Sequence, residues 1–153
     1  MAKLPTWVVI LITSVLLFGG LEIASFIKPT QTVADIEKLK ILGQISVVQF
    51  LGIGILVEIL EALFWTVTFV EFAAKLAKTP QLGAVLGIIA YGVIFHWSGG
   101  ISSILISGWI ILVLNVSYVE LRKRSHLVAV LSTVAQKIAF IMLAAVSIYS
   151  FGV

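Results

Sequence analysis

The stretch ILGQISVVQFLGIGILVEILEALFWTVTFVEFAA, Ile41 to Ala74, runs for 34 residues without a proline. Wound as one α-helix it measures about 51 Å, at 1.5 Å per residue. The hydrocarbon core of a bilayer is only about 30 Å thick and is crossed by roughly 20 apolar residues. The segment therefore reads as a membrane helix that tilts, kinks near Gly52 and Gly54, or projects beyond the lipid. The rest of the composition agrees. Of 153 residues, 61% are apolar and 11% charged, whereas a soluble domain carries about 25% charged residues. Ten basic and seven acidic side chains are too few to clothe a water-exposed surface. The same arithmetic excludes a disordered chain, and the lack of cysteine excludes a disulfide scaffold.

Further apolar runs lie on either side of this stretch. The first covers about 7–27; it is too long for a signal peptide and lacks a small-residue cleavage site after it, so it reads as an uncleaved span. Between it and Ile41 lies the one long polar segment, Lys28 to Lys40, where Thr32 and Asp35 resemble a capping box for a helix beginning near Val33. Lys75 to Pro80 is a turn, 82–97 a third span, Ser98-Gly99-Gly100 a second turn, and 101–121 a fourth span. Arg122-Lys123-Arg124 is a basic loop before the last span, 127–151. The expectation is an all-α, polytopic helix bundle forming one transmembrane domain, 1–153, with spans at about 7–27, 41–74, 82–97, 101–121 and 127–151. Lys3, Lys75, Lys78, Arg122, Lys123 and Arg124 fall on one side of it, and Lys28, Lys38 and Lys40 on the other. The excess of positive charge places the N-terminus in the cytoplasm and the C-terminus outside. Because the basic residues sit in loops between apolar runs, the pI of about 9.3 describes topology and not a nucleic-acid surface.

Ionisable groups inside apolar helices cost about 2.5–3.5 kcal/mol each on insertion scales, and so call for a reason. Glu22, Glu71 and Glu120 lie near span ends and reach the interface. Glu58 and Glu61 do not. With Gly54 and Trp65 they fall at i, i+4, i+7 and i+11, on one helical face. Two carboxylates on such a face share a proton, hold a metal, act as general acid and base, or meet a cation. The cation available is Lys137, which gives a buried ion pair with Glu58 as the structural alternative. Counting back from the turn, Glu61 and His96 both lie roughly 21–22 Å from it, so a simple hairpin puts them at one depth. Gly92, four residues before His96, leaves room beside the imidazole. Gly83 and Gly87 form a small-xxx-small pair suited to close helix packing.

At these residues the chain resembles the CAAX protease and bacteriocin-processing family (CPBP, or Abi). The motifs of that family read E-E-x-x-F-R-G, then F-x-x-x-H, then H-x-x-x-N in a late helix. Leu60 to Thr66 is similar to the first motif and keeps Glu61 and Phe64; Gly92 to His96 is similar to the second and keeps His96. Gly108 to Leu131 resembles the following span, basic turn and start of the last motif helix, and Thr133 to Lys137 stands where H-x-x-x-N falls. The resemblance covers about Ile41 to Ile141. It departs at Leu60 for the first Glu, Trp65 for Arg, Gly92 for Phe, Thr133 for His and Lys137 for Asn. The resemblance implies a water activated by Glu and His, with a divalent metal as a possible helper and Glu58 replacing the missing carboxylate. It also implies a lost partner for the developing oxyanion.

Three function classes follow. The first is a non-catalytic subunit, scaffold or regulator, with membrane lipid and other membrane subunits as partners. The second is an intramembrane metal-dependent CAAX-type protease with Glu61 and His96 as catalytic and metal-binding residues. The third is a pigment-binding subunit with His96, beside Gly92, as axial ligand. The eroded motifs and the small-residue face of the third span favour the first.

Overall fold

The computed structural model of the chain describes residues 4–26, 46–97 and 100–151. The Thr32–Asp35 capping box, the polar segment Lys28 to Lys40 and the turn residues Ser98 and Gly99 lie outside them. Among the described residues every regular element is helical. Helix α1 (Thr6–Phe26) follows Pro5, whose carbonyl accepts from the Val8 and Val9 amides. Helix α2 (Val47–Glu61) opens on a reciprocal cap. The Ser46 hydroxyl accepts from the Gln49 amide, and the Gln49 side chain accepts from the Ser46 amide. Ser46 is extended (φ −64, ψ 151), so this helix starts at Val47; the expected start at Ile41 lies outside the described residues. Local capping chemistry sets that boundary.

From Glu61 the chain stays helical but changes pitch. Residues Ala62–Thr68 form a π-helical segment, π1, and α-geometry returns in α3 (Phe69–Leu76). The irregularity in the long rod thus lies after Glu61 and not at Gly52 or Gly54. The Thr68 hydroxyl donates to the carbonyl of Leu63, five residues back, at 2.9 Å. A tight turn follows, with Lys78 in the left-handed region at φ 57, a conformation that costs a non-glycine residue roughly 1–2 kcal/mol. Pro80 takes the first turn of α4 (Pro80–Gly87), where its missing amide hydrogen is no loss. A second π segment, π2 (Ile88–Phe95), ends at His96. Helix α5 (Gly100–Arg122) and helix α6 (His126–Phe151) complete the described residues.

Helix α5 is the axis of the bundle. Its Ile110, Val113, Leu114, Tyr118, Val119 and Leu121 are all buried, clustering with Val9 and Leu17 of α1, Val70 of α3 and Ala129 of α6. The outer surface is apolar as well: Trp7, Trp97 and Ile101 are each more than two-thirds exposed, at 67%, 70% and 77%. Among the described residues, three helices are long and apolar enough to cross a membrane: Leu51–Leu76, Ser103–Arg122 and His126–Leu143. Thr6–Gly20 and Pro80–Phe95 are shorter apolar helices.

Glycines set how closely these rods approach. A Cβ on Gly83 would lie 2.2 Å from the Phe69 carbonyl oxygen, and one on Gly87 would lie 2.7 Å from that of Trp65. The small-xxx-small face of the third span is therefore spent inside the molecule, against α3 and π1. It is not a free surface for another subunit. Gly92 likewise does not open space beside His96: its Cβ position is 2.8 Å from the Cα of Gly108, where π2 crosses α5 backbone to backbone. One end of the bundle is tied by basic side chains, Arg122 reaching Glu71 of α3 and Arg124 reaching Thr6 of α1.

Candidate functional site

Glu58 and Glu61, three residues apart on α2, face α6. Gly54 makes that approach possible, since a Cβ there would sit 2.9 Å from Ile141 Cγ1. One turn along α2 from Gly54 is Glu58, and one turn back along α6 from Ile141 is Lys137, so antiparallel packing brings the two opposite each other. Lys137 Nζ lies 2.5 Å from Glu58 Oε2, as an ion pair without hydrogen-bond angles. It donates to Glu61 Oε2 at 3.0 Å. The lysine is 2% exposed, against 14% and 21% for the two carboxylate side chains. A single ammonium thus bridges two carboxylates. At such depth each ion is costly alone, and the cluster persists because charges of opposite sign meet directly.

The third partner is Tyr91 of π2, which donates its hydroxyl to Glu61 Oε2 at 2.7 Å. Its ring also lies under Lys137, with Nζ 5.6 Å from the centroid, within the range of a cation–π contact. The sequence reading did not single out Tyr91, although a signal was present. Gly83, Gly87 and Tyr91 follow at four-residue spacing, and the two glycines are what press this face onto α3 and π1. Extrapolating the glycine face by one turn reaches Tyr91.

His96 is displaced from where simple helix counting puts it. The glycine contacts pair Gly83 with Phe69 and Gly87 with Trp65, so the level of Glu61 is reached at Tyr91. Among the described residues Glu61 and His96 form no hydrogen bond. The imidazole packs instead on Tyr91, edge to face, with ring centroids 4.5 Å apart. Its Nε2 is buried with no hydrogen-bond partner among the described residues. Trp65, assigned by α-helical spacing to the face of Glu58 and Glu61, packs on Tyr91 and Phe95, each at 5.6 Å. Helical counting with 3.6 residues per turn ends where π1 begins, since i→i+5 bonding changes the angle between successive residues.

The remaining motif positions have local roles. Thr133 is fully buried and its hydroxyl donates to the Ala129 carbonyl at 2.9 Å. Leu60 is exposed on the outer surface. As for a metal, among the described residues no group of three His, Cys, Asp or Glu side chains is placed to hold one. Glu61 and His96 do not fit that part, since the Lys137 ammonium already lies against the carboxylate that would serve as ligand.

A second carboxylate cluster, discounted in the sequence because Glu71 lies near a helix end, closes the basic end of the bundle. Arg122 grips Glu71 with two nitrogens, Nε to Oε1 at 2.5 Å and an Nη to Oε2 at 3.0 Å. The Tyr118 hydroxyl donates to Oε1 at 2.9 Å, and His126 Nε2 stands 3.7 Å away. Elsewhere Asn115, fully buried in α5, donates to the Ala84 carbonyl at 2.9 Å. Compared with protein-family models, curated proteins and solved structures, the chain matches none.

Proposed function

We propose that this chain is a five-span integral membrane protein, N-terminus cytoplasmic, that serves as a non-catalytic subunit, scaffold or regulator of a larger membrane assembly. The observation that carries the reading is the placement of Lys137. It stands where the CPBP-like pattern has its final Asn, and its ammonium lies against both Glu58 and Glu61. A carboxylate that already neutralises a lysine is a poor base for a hydrolytic water. The cluster then works as an interhelical clamp joining α2, π2 and α6. The gathering of Arg122 and Arg124 at one end of the bundle, tied to Glu71 and Thr6, supports the sidedness drawn from positive charge. The apolar outer surface supports a lipid environment.

The test is enzymatic. Purified in mild detergent, the protein is expected to leave a prenylated CAAX peptide uncut, with or without added zinc. Specific cleavage that disappears in Glu61→Ala and in His96→Ala would overturn the proposal. That result would install the second reading, an intramembrane metal-dependent protease, which one observation favours: the unpartnered, buried Nε2 of His96 beside Tyr91.

A further inference from the structure

The charges of the inner cluster do not balance. Glu58 and Glu61 bring two negative charges, and the Lys137 ammonium beside them brings one positive. Tyr91 of π2 is neutral and spends its hydroxyl hydrogen on Glu61 Oε2. The π1 segment that continues α2 beyond Glu61, Ala62–Thr68, carries no titratable side chain. The one other titratable group of π2 is His96, packed edge to face on Tyr91. It is badly placed to supply the missing positive charge. Its Nε2 is buried without a hydrogen-bond partner among the described residues, so an imidazolium would strand an N–H there. On α6 the only titratable residue besides Lys137 is His126, at the far basic end, where it faces Glu71. Arg122 is likewise held there by Glu71, and Lys123 by Glu120. Fully ionised, the cluster would therefore keep one net negative charge among apolar helices, where a charge without a partner is costly.

We infer, building on the reading of this cluster as an interhelical clamp, that it binds one proton at neutral pH and holds it on Glu58. The hydrogen bonds decide between the two acids. Glu61 Oε2 accepts from the Tyr91 hydroxyl at 2.7 Å and from Lys137 Nζ at 3.0 Å, and donors aimed at a carboxylate favour its charged form. Glu58 Oε2 stands 2.5 Å from the same Nζ but receives no hydrogen bond among the described residues. A hydrogen on that oxygen would point into the ammonium. The proton taken from the medium therefore forms its O–H bond at Oε1, leaving Oε2 as the carbonyl oxygen that faces the lysine. The cluster is then an ammonium, a carboxylate and a neutral acid, with no net charge. Its Glu58 edge is the less sealed one, the side chain being 14% exposed against 2% for Lys137. Loss of the proton returns a second negative charge to the contact between α2 and α6, beside that of Glu61 on the same helical face. The clamp thus holds in neutral and mildly acidic conditions and loosens as the pH rises.

The test is infrared spectroscopy of the full-length protein in phosphatidylcholine vesicles at neutral pH, where a protonated carboxyl group gives a carbonyl band apart from those of ionised carboxylates. Difference spectra between wild type and variants isolate the contribution of the cluster. Glu58→Gln is expected to remove one protonated carboxyl group. Glu61→Gln is expected to remove the same band although Glu58 is still present, because Glu58 then becomes the only counter-ion of Lys137 and ionises. Lys137→Met leaves two acids and no cation, and is expected to double the band. Glu58→Gln also copies the neutral acid in shape. It should keep the wild-type melting temperature at neutral pH and abolish the fall that the wild type shows in alkaline buffer. No loss of a protonated band in Glu58→Gln overturns the inference, and so does a band that survives in folded Glu61→Gln. A wild-type melting temperature no more sensitive to alkaline buffer than that of Glu58→Gln overturns it too. The two glutamine variants decide the matter even if Lys137→Met does not fold. Cleavage of a prenylated peptide bears on the non-catalytic reading alone and is measured separately, so the two failures are distinguishable.

Discussion

Two clusters in this bundle are built from the same parts. Each has a glutamate that accepts from a tyrosine hydroxyl and from a cation: Tyr91–Glu61–Lys137 in one, Tyr118–Glu71–Arg122 in the other. They differ in depth and in the shape of the cation. Lys137 is 2% exposed and bridges two carboxylates with one ammonium, while Arg122 is 32% exposed and grips one carboxylate with two nitrogens. A compact ammonium suits a crowded interior where two acids converge; a planar guanidinium suits a single acid at the rim. The inner cluster should therefore hold the helices together, while the rim cluster, partly solvated, mainly orients the chain ends.

The largest expected effect follows directly. Lys137→Met removes the buried cation shared by two part-buried carboxylates and should cost about 3 kcal/mol of unfolding free energy, the low end of the result of breaking a buried pair. Arg122→Met should cost about 1 kcal/mol or less. Denaturant unfolding in micelles compares them, and equal losses would break the distinction. Next comes register. Gly87→Ala places a methyl 2.7 Å from the Trp65 carbonyl oxygen and should cost about 1–3 kcal/mol, shifting Tyr91 off Glu61. Gly52→Ala, with nothing within 4 Å, serves as its control in the same assay.

Smaller effects sharpen the comparison. Tyr91→Phe should cost about 1 kcal/mol, because Glu61 then keeps only its lysine. Tyr118→Phe should cost less, since Glu71 retains both arginine contacts; tyrosine fluorescence during unfolding would follow each. The smallest difference should appear with salt. Raising it from about 0.05 to 1 M should shrink the Arg122→Met penalty, through screening of the exposed pair, and leave the Lys137→Met penalty almost unchanged.

The sequence made much of this legible. Glu58, Glu61 and Lys137 stood out because charge is rare in such helices, and a lone buried cation points to the acids as its partners. Gly83 and Gly87 marked a close packing face. Tyr91 escaped notice because a tyrosine in an apolar run carries no charge to draw attention. The alignment of Glu61 with His96 failed for a geometric reason: closest approach between the rods is set by glycine contacts, and a stagger of one turn is invisible to a count from the loop. Thr13, which meets the Ser117 hydroxyl at 3.2 Å and accepts from the Gln136 amide at 2.9 Å, was missed because hydroxyls and amides in helices usually bond locally, and which of them meet across helices depends on packing.

By itself, then, the sequence determined that the chain is a bundle of apolar helices with a few acids and one lysine held inside. It does so because hydropathy and charge scarcity are local, additive properties. Only the tertiary structure decided who meets whom. It set Tyr91 and not His96 on Glu61 and turned the glycine face inward. Those outcomes depend on register and pitch, which glycine clearances and two π segments fix across distances that no residue spacing records.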